Sequence, residues 1–370
     1  MLTKRKQNFL ATSSSYGEQP KHQEDQMNEI VNGKEIVLSA FDFKETERLP
    51  AAIFGGGVWT YHRYGEEPEK LVKNPKRMSE IVVEVAEKIR SDIVYAGSGL
   101  NNCLPGALGG KVVYRKIGAP DVQPFVGSID DLKRLDLNKI DSDPVLNNIR
   151  EATQNVSKLV GERYVVTTTT WGPFILAGQL CGIQELMKAT FKNKDFVKAV
   201  CEFTTEMILR FYEPLINDGV IQMISVADSL SSASLISRRQ FEELGLPPLK
   251  NLFSELNAKG VRSLLHMCGE MSDRLDLVST TGSSCISLDA MVDLKKAKEA
   301  FRGKCVLAGN VSPTAVLMNG TEEDVKNDVI RCITSASEGG GYMVMPACDL
   351  PPTVPIENVT TFLETAKQYR

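Results

Sequence analysis

At 370 residues, with 42% hydrophobic and 24% charged residues, the chain has the composition of a globular protein with enough length for a large core. A formal net charge of −4 and a pI near 5.7 exclude a nucleic-acid footprint. No apolar run reaches the roughly 18 residues of a membrane span. The basic start, Met1 to Lys6, is followed by no apolar h-region, and eight scattered cysteines do not read as a disulfide framework. These features together predict a cytoplasmic protein.

Residues 1–28 are polar and predict an N-terminal extension with little to bury, apart from a short helix around Lys6–Thr12. A helical pattern begins near Glu29, runs through Ile36, Val37 and Phe41, and stops before Glu45. From Pro50 onward eight short apolar, β-rich runs follow: Ala51–Val58, Asp92–Ala96, Tyr164–Thr170, Ile221–Ala227, Arg262–His266, Cys285–Leu288, Cys305–Ala308 and Tyr342–Met345. Amphipathic helical stretches lie between most of them, among them Pro75–Arg90, Leu186–Tyr212 and Thr321–Ser337. Strands alternating with helices imply βαβ units, and continuous apolarity implies a parallel sheet covered on both faces. Eight such units predict a single (β/α)8 barrel over residues 29–370. An open doubly wound sheet is the alternative, but Gly55-Gly56-Gly57 is followed by Trp59 and Tyr61, a poor phosphate loop. The segments Lys111–Arg115 and Gln123–Val126 predict a hairpin inserted after the second strand.

In a barrel of this kind chemistry sits at the C-terminal strand ends. Nearly every run here ends in polar or unusual residues: Trp59, Tyr61 and His62 after the first, Trp171 after the third, Asp228 after the fourth. His266 and Cys268 follow the fifth, Asp289 the sixth, Asn310 the seventh and Cys348 the eighth. Both tryptophans and two of the three histidines fall at this rim. In an extended strand residues two apart share a face, so His266 and Cys268 project together, and Cys348 ends another run. Two thiolates and an imidazole suit Zn²⁺ and leave a fourth position open, as catalytic zinc sites require. The plainer alternative is a hydrogen-bonded core histidine with cysteines as small hydrophobes. The other six cysteines lie in helical patterns, at strand starts, or, for Cys103, in the loop after the second strand.

The order His266-x-Cys268, Ser287-Leu288-Asp289, Leu307-Ala308-Gly309-Asn310-Val311-Ser312-Pro313 and Met345-Pro346-Ala347-Cys348-Asp349 resembles the uroporphyrinogen decarboxylase superfamily. Within it the chain is similar to the zinc-dependent, corrinoid-linked methyltransferases. The likeness runs from about Lys34 to the C-terminus. It implies zinc on His266, Cys268 and Cys348, and a methyl group moved between a small substrate and the cobalt of a corrinoid. No Asp-x-His-x-x-Gly corrinoid-binding pattern occurs, so the corrinoid is expected on a separate partner protein. Trp59, Tyr61, His62, Trp171 and Asn310 are the candidate substrate contacts. Asp228 and Asp289 are the candidate catalytic aspartates, orienting His266 or meeting the substrate, with a helix N-cap as the alternative for either.

The aromatic rim points to a methyl donor such as a methoxylated ring, with transfer to a thiol of the coenzyme M type as the alternative direction. Porphyrin decarboxylation fits less well. Those enzymes resemble one another in an arginine-rich segment after the first strand, where this chain offers only Arg63, and they need no metal. A closed, zinc-stabilised scaffold without activity would require a fourth protein ligand, and none is evident. The sequence leaves the oligomeric state open, with a homodimer as one candidate.

Overall fold

The computed structural model describes residues 32–369. The expected extension, the helix around Lys6–Thr12 and the start of the helical pattern at Glu29 lie outside the described residues. Helices alternate with short parallel strands along most of the chain. The first strand, β1 (Ile93–Tyr95), is followed by an antiparallel pair of two-residue strands, β2 (Val112–Val113) and β3 (Asp121–Val122). The second arm of that pair lies just before the expected Gln123–Val126 segment. β4 (Val165–Thr167) pairs parallel with β1. After Thr168 alone, β5 (Thr169–Trp171) opens a six-stranded parallel sheet. β6 (Met223–Ala227), β7 (Arg262–Met267), β8 (Cys285–Leu288), β9 (Val306–Ala308) and β10 (Tyr342–Met343) complete it in sequence order.

The first predicted run, Ala51–Val58, contributes a single bridge from Ala51 to Val344. Through it Pro50 O accepts from Val344 N, Ala52 N donates to Val344 O, and Asp92 N donates to Ala51 O. This segment therefore links β10 to β1. The chain then turns at Gly55 and Gly56, both left-handed at φ +61° and +70°, into a helix over Gly57–Arg63. Gly57 sits so close to Ser98 that a Cβ would lie 1.9 Å from its carbonyl oxygen. What reads as the end of a strand, Trp59 to Arg63, is thus helical, because burial of Trp59 and Tyr61 outweighs their β propensity.

Strand side chains partition with period two. On β1, Ile93 and Tyr95 join one apolar cluster and Val94 another; on β9, Val306 and Ala308 fall in the first and Leu307 in the second. The smaller cluster draws on nearly every strand and on Val37 and Phe41 of the helix Gly33–Phe41, and defines the inner face. The larger one lies between the strands and the flanking helices. Helix starts follow local chemistry: Asn32, Asn74 and Asp143 accept backbone N–H groups at three of them, and Thr321 with Asp324 forms a capping box before Glu322–Ala336. The stretch Leu186–Tyr212 forms two helices, Ile183–Lys192 and Lys194–Asn217, because Asn193 leaves the helical region and caps the second through Phe196 N. Among the described residues no helix is long and apolar enough to cross a membrane.

Candidate metal centre

β7 delivers His266 on the inner face, and Cys268 follows two residues later. Cys348 arrives from the chain beyond β10, where a bridge between Val311 and Pro346 and a bond from Ala347 N to Val311 O (2.8 Å) fix the backbone. A ring nitrogen of His266 and the two Sγ atoms all lie within 4.8 Å of one another. The sulfurs are 3.3 Å apart, far beyond the length of a disulfide bond. His266 is buried and the two cysteines are half-buried, so the cluster opens toward solvent on its thiol side.

The imidazole is held on two sides. Nδ1 pairs with Ser287 Oγ at 3.1 Å, across the register that sets His266 opposite Ser287 on β8. The Phe54 ring packs against it at 4.3 Å between centroids. Nε2 is buried and has no hydrogen-bond partner among the described residues. An imidazole nitrogen buried without a partner calls for an explanation. Two thiols at metal-ligand spacing supply one, since a soft divalent ion would use that lone pair together with both sulfurs. The residues present therefore fit zinc. The two thiols share their protons unequally: hydrogen bonding between them pushes the Cys268 thiol up and draws the Cys348 thiol down.

Two carboxylates border the cluster. Asp289 Oδ2 lies 3.2 Å from Cys268 Sγ and accepts Gly269 N at 2.9 Å, while Oδ1 accepts Met291 N. Burial pushes this carboxyl up, but these bonds outweigh it and hold the pKa below the usual value. Asp349 accepts Gly56 N at 2.6 Å, and burial raises its carboxyl to about 6.

The remaining candidates are dispersed. Asp228 does not reach the imidazole with its side chain. Its carboxylate accepts Phe174 N and Ile175 N and so caps the helix Pro173–Cys181, although burial pushes its pKa up to about 7. The capping alternative is what this geometry displays. Asn310 is buried and donates to Asp289 O and Val292 O, tying the loop after β8 to the end of β9. Trp59 and Tyr61 are sealed rather than displayed on an aromatic rim: Trp59 Nε1 donates to Val354 O and Tyr61 Oη to Ser98 O. His62 is exposed on the same helix and lines a small cleft with Glu66 and Lys116. Trp171 ends β5 half-buried against the inner cluster. Cys103 is buried, with its thiol donating to Leu100 O.

Ser287 is the residue that sequence reasoning passed over as a partner of the histidine. Its signal was available: it lies two residues before Asp289 in a strand predicted to neighbour that of His266. Only the register makes it the partner.

Comparison with known proteins adds the following. The family model described as "Uroporphyrinogen decarboxylase (URO-D)" matches residues 32–369. A methylcobamide:CoM methyltransferase from Methanosarcina mazei is 25% identical over 91% of this chain and 98% of its own. Another, from Methanosarcina barkeri, is 23% identical over the same shares of the two chains. Among solved structures, a methyltransferase from Methanosarcina mazei superposes with a TM-score of 0.80 at 22% identity, covering 91% of this chain and 98% of that one.

Proposed function

The chain belongs to the uroporphyrinogen decarboxylase (URO-D) family, and from that membership and the geometry of the cluster we propose that it is a zinc-containing methyltransferase working with a corrinoid carried on a separate protein. We take its short parallel strands as a closed (β/α)8 barrel with the site at the C-terminal strand ends and a hairpin after the second strand, and residues 1–28 as a peripheral extension. The observation that carries the reading is His266 Nε2, buried without a partner among the described residues, on a ring that lies within metal-ligand reach of two thiols. A decarboxylase of this family needs no such cluster, and the single Arg63 after the first strand suits a polycarboxylated substrate poorly.

His266, Cys268 and Cys348 would hold the zinc, which would supply Lewis acidity favouring the thiolate form of a thiol substrate. The protein's own part is positional. Ser287 and Phe54 fix the ring plane and commit Nδ1, which leaves Nε2 as the nitrogen available to a metal. Asp289 holds the Cys268–Gly269 turn through the Gly269 N–H, and Asn310 ties Asp289's own backbone to β9. The half-buried thiols leave the outward side of the cluster open to a substrate and a docking partner.

The direction we infer is methyl transfer from the corrinoid to a small thiol, in line with the methylcobamide:CoM relatives. A methoxylated aromatic donor loses its main support once Trp59 and Tyr61 lie in the interior. The test combines metal analysis with the visible spectrum of methylcobalamin mixed with protein and thiol. Wild type is expected to hold about one zinc per chain and to convert methylcobalamin to cob(I)alamin. Cys348→Ala should lose both the zinc and the conversion while remaining folded; retention of either contradicts the proposal.

A further inference from the structure

The inner face carries a second set of unmet hydrogen-bonding atoms beside the metal cluster. Tyr95 Oη, Thr169 Oγ1 and Ser225 Oγ are each buried and without a partner among the described residues, the same condition as His266 Nε2. Register gathers them. Thr169 pairs with Ser225 across β5 and β6, and Ser225 lies two residues before Ala227, which pairs with His266. The Tyr95 ring stands 6.0 Å from Phe54, the residue stacked on His266. Partners in register, and residues two apart on one strand, project to the same face. Ser225 is a hydrogen-bonding neighbour of the Tyr95 phenol and tempers the upward shift that burial gives it, but the contact between the two oxygens is too long or too poorly aligned to satisfy either.

Buried polar groups in native proteins are nearly always paired, and an unpaired one costs more than a typical hydrogen bond yields. Three side by side, flanked by Phe54 and Leu264, are a cost that a bound ligand would remove. Hydroxyls both donate and accept, and no lysine or arginine occupies β5 to β10 except Arg262, at the far end of β7. The group they suit is therefore polar and uncharged. Along a strand, two residues separate this layer from His266 by about 6–7 Å, the reach of a small molecule.

We propose that Tyr95, Thr169 and Ser225 form the polar floor of the substrate site and take a hydroxyl or carbonyl group of a thiol whose sulfur reaches the His266–Cys268–Cys348 cluster. This assignment rests on the thiol reading above and makes the three residues determinants of specificity. Calorimetric titration of the zinc-loaded protein with 2-mercaptoethanol, 1-propanethiol and mercaptoacetate tests it. The first two differ only by a hydroxyl in place of a methyl group; the third is anionic. Wild type should bind 2-mercaptoethanol about tenfold or more tighter than either other thiol. Tyr95→Phe, Thr169→Val and Ser225→Ala should each erase much of that preference, with the propanethiol Kd changed less than about twofold. The same variants should unfold at the wild-type temperature or above it, because the atoms removed had no partner. Equal binding of the matched pair by wild type overturns the proposal. So does a preference that survives all three substitutions, or a fall in unfolding temperature that marks the hydroxyls as bonded within the fold. Failure of every thiol to bind the zinc-loaded protein overturns the thiol reading itself, and the floor with it.

Discussion

The two ends of the strands treat buried polarity in opposite ways. At the N-terminal end, Asp92 is fully buried just before β1, and its carboxylate is saturated. Arg48 grips both oxygens at 2.7 and 2.8 Å, Ala51 N donates at 2.9 Å, and Lys367 Nζ lies 3.2 Å away. That arrangement ties the chain before Ala51 and the helix Ile356–Gln368 to β1. His266 Nε2 and Tyr95 Oη, toward the C-terminal strand ends, and Ser225 Oγ, midway along β6, are equally hidden and meet no partner among the described residues. One end saturates its polar groups within the fold; on the proposed reading, the other leaves them for what binds there. In parallel α/β barrels the two faces divide stability and chemistry in the same sense.

Substitutions can break this contrast or sharpen it. The largest effect should come from the saturated end. Asp92→Ala leaves Arg48 and Lys367 without their buried counter-charge and should cost about 3–5 kcal/mol in urea unfolding, while the folded fraction keeps its zinc. At the other end, Ser287→Ala removes only the group that orients His266. It should weaken zinc about 10- to 100-fold in competition with a chelator and leave the urea midpoint nearly unmoved. A comparable loss of stability there would erase the division of labour.

The smallest effect belongs to the surface. Arg238 holds Asp276 through two bonds of 2.7 and 2.6 Å, with both side chains largely exposed. Arg238→Ala should therefore cost only about 0.2–1 kcal/mol near neutral pH. The guanidinium lowers the Asp276 carboxyl to about 2. A carboxyl with a lowered pKa in the folded state stabilises fully above its ordinary value and loses that contribution as pH falls through the lowered one. The gap between wild type and variant should then be complete at pH 5 and close as pH falls from about 4 toward 2, as read by unfolding midpoints across that range.

Much of the strand layout was legible because buried parallel strands read as short apolar runs: Cys285–Leu288 matches its strand in full, and Asp92–Ala96 and Ile221–Ala227 each enclose theirs. The first run misled because Val58-Trp59-Thr60-Tyr61 has strand-like residues but sits in a helix whose burial is tertiary. The pairing of His266 with Cys268 followed from the two-residue period alone. A capping role for Asp228 was one of the two readings the sequence left open, but which helix it caps, like the interior placement of Trp59, was not legible, since both depend on where distant backbone passes: Ile175 in one case, Val354 in the other. The unmet hydroxyls of Tyr95, Thr169 and Ser225 were likewise invisible, because a missing partner is a property of the packed fold.

X-ray absorption at the zinc edge, recorded on the loaded protein before and after addition of a small thiol, addresses the metal centre directly. Two sulfur ligands at about 2.3 Å, one nitrogen at about 2.0–2.1 Å and one light atom are expected at first. The thiol should then replace the light atom with a third sulfur. A shell of oxygen and nitrogen alone, or a shell that the thiol leaves unchanged, would contradict an open centre built on His266, Cys268 and Cys348.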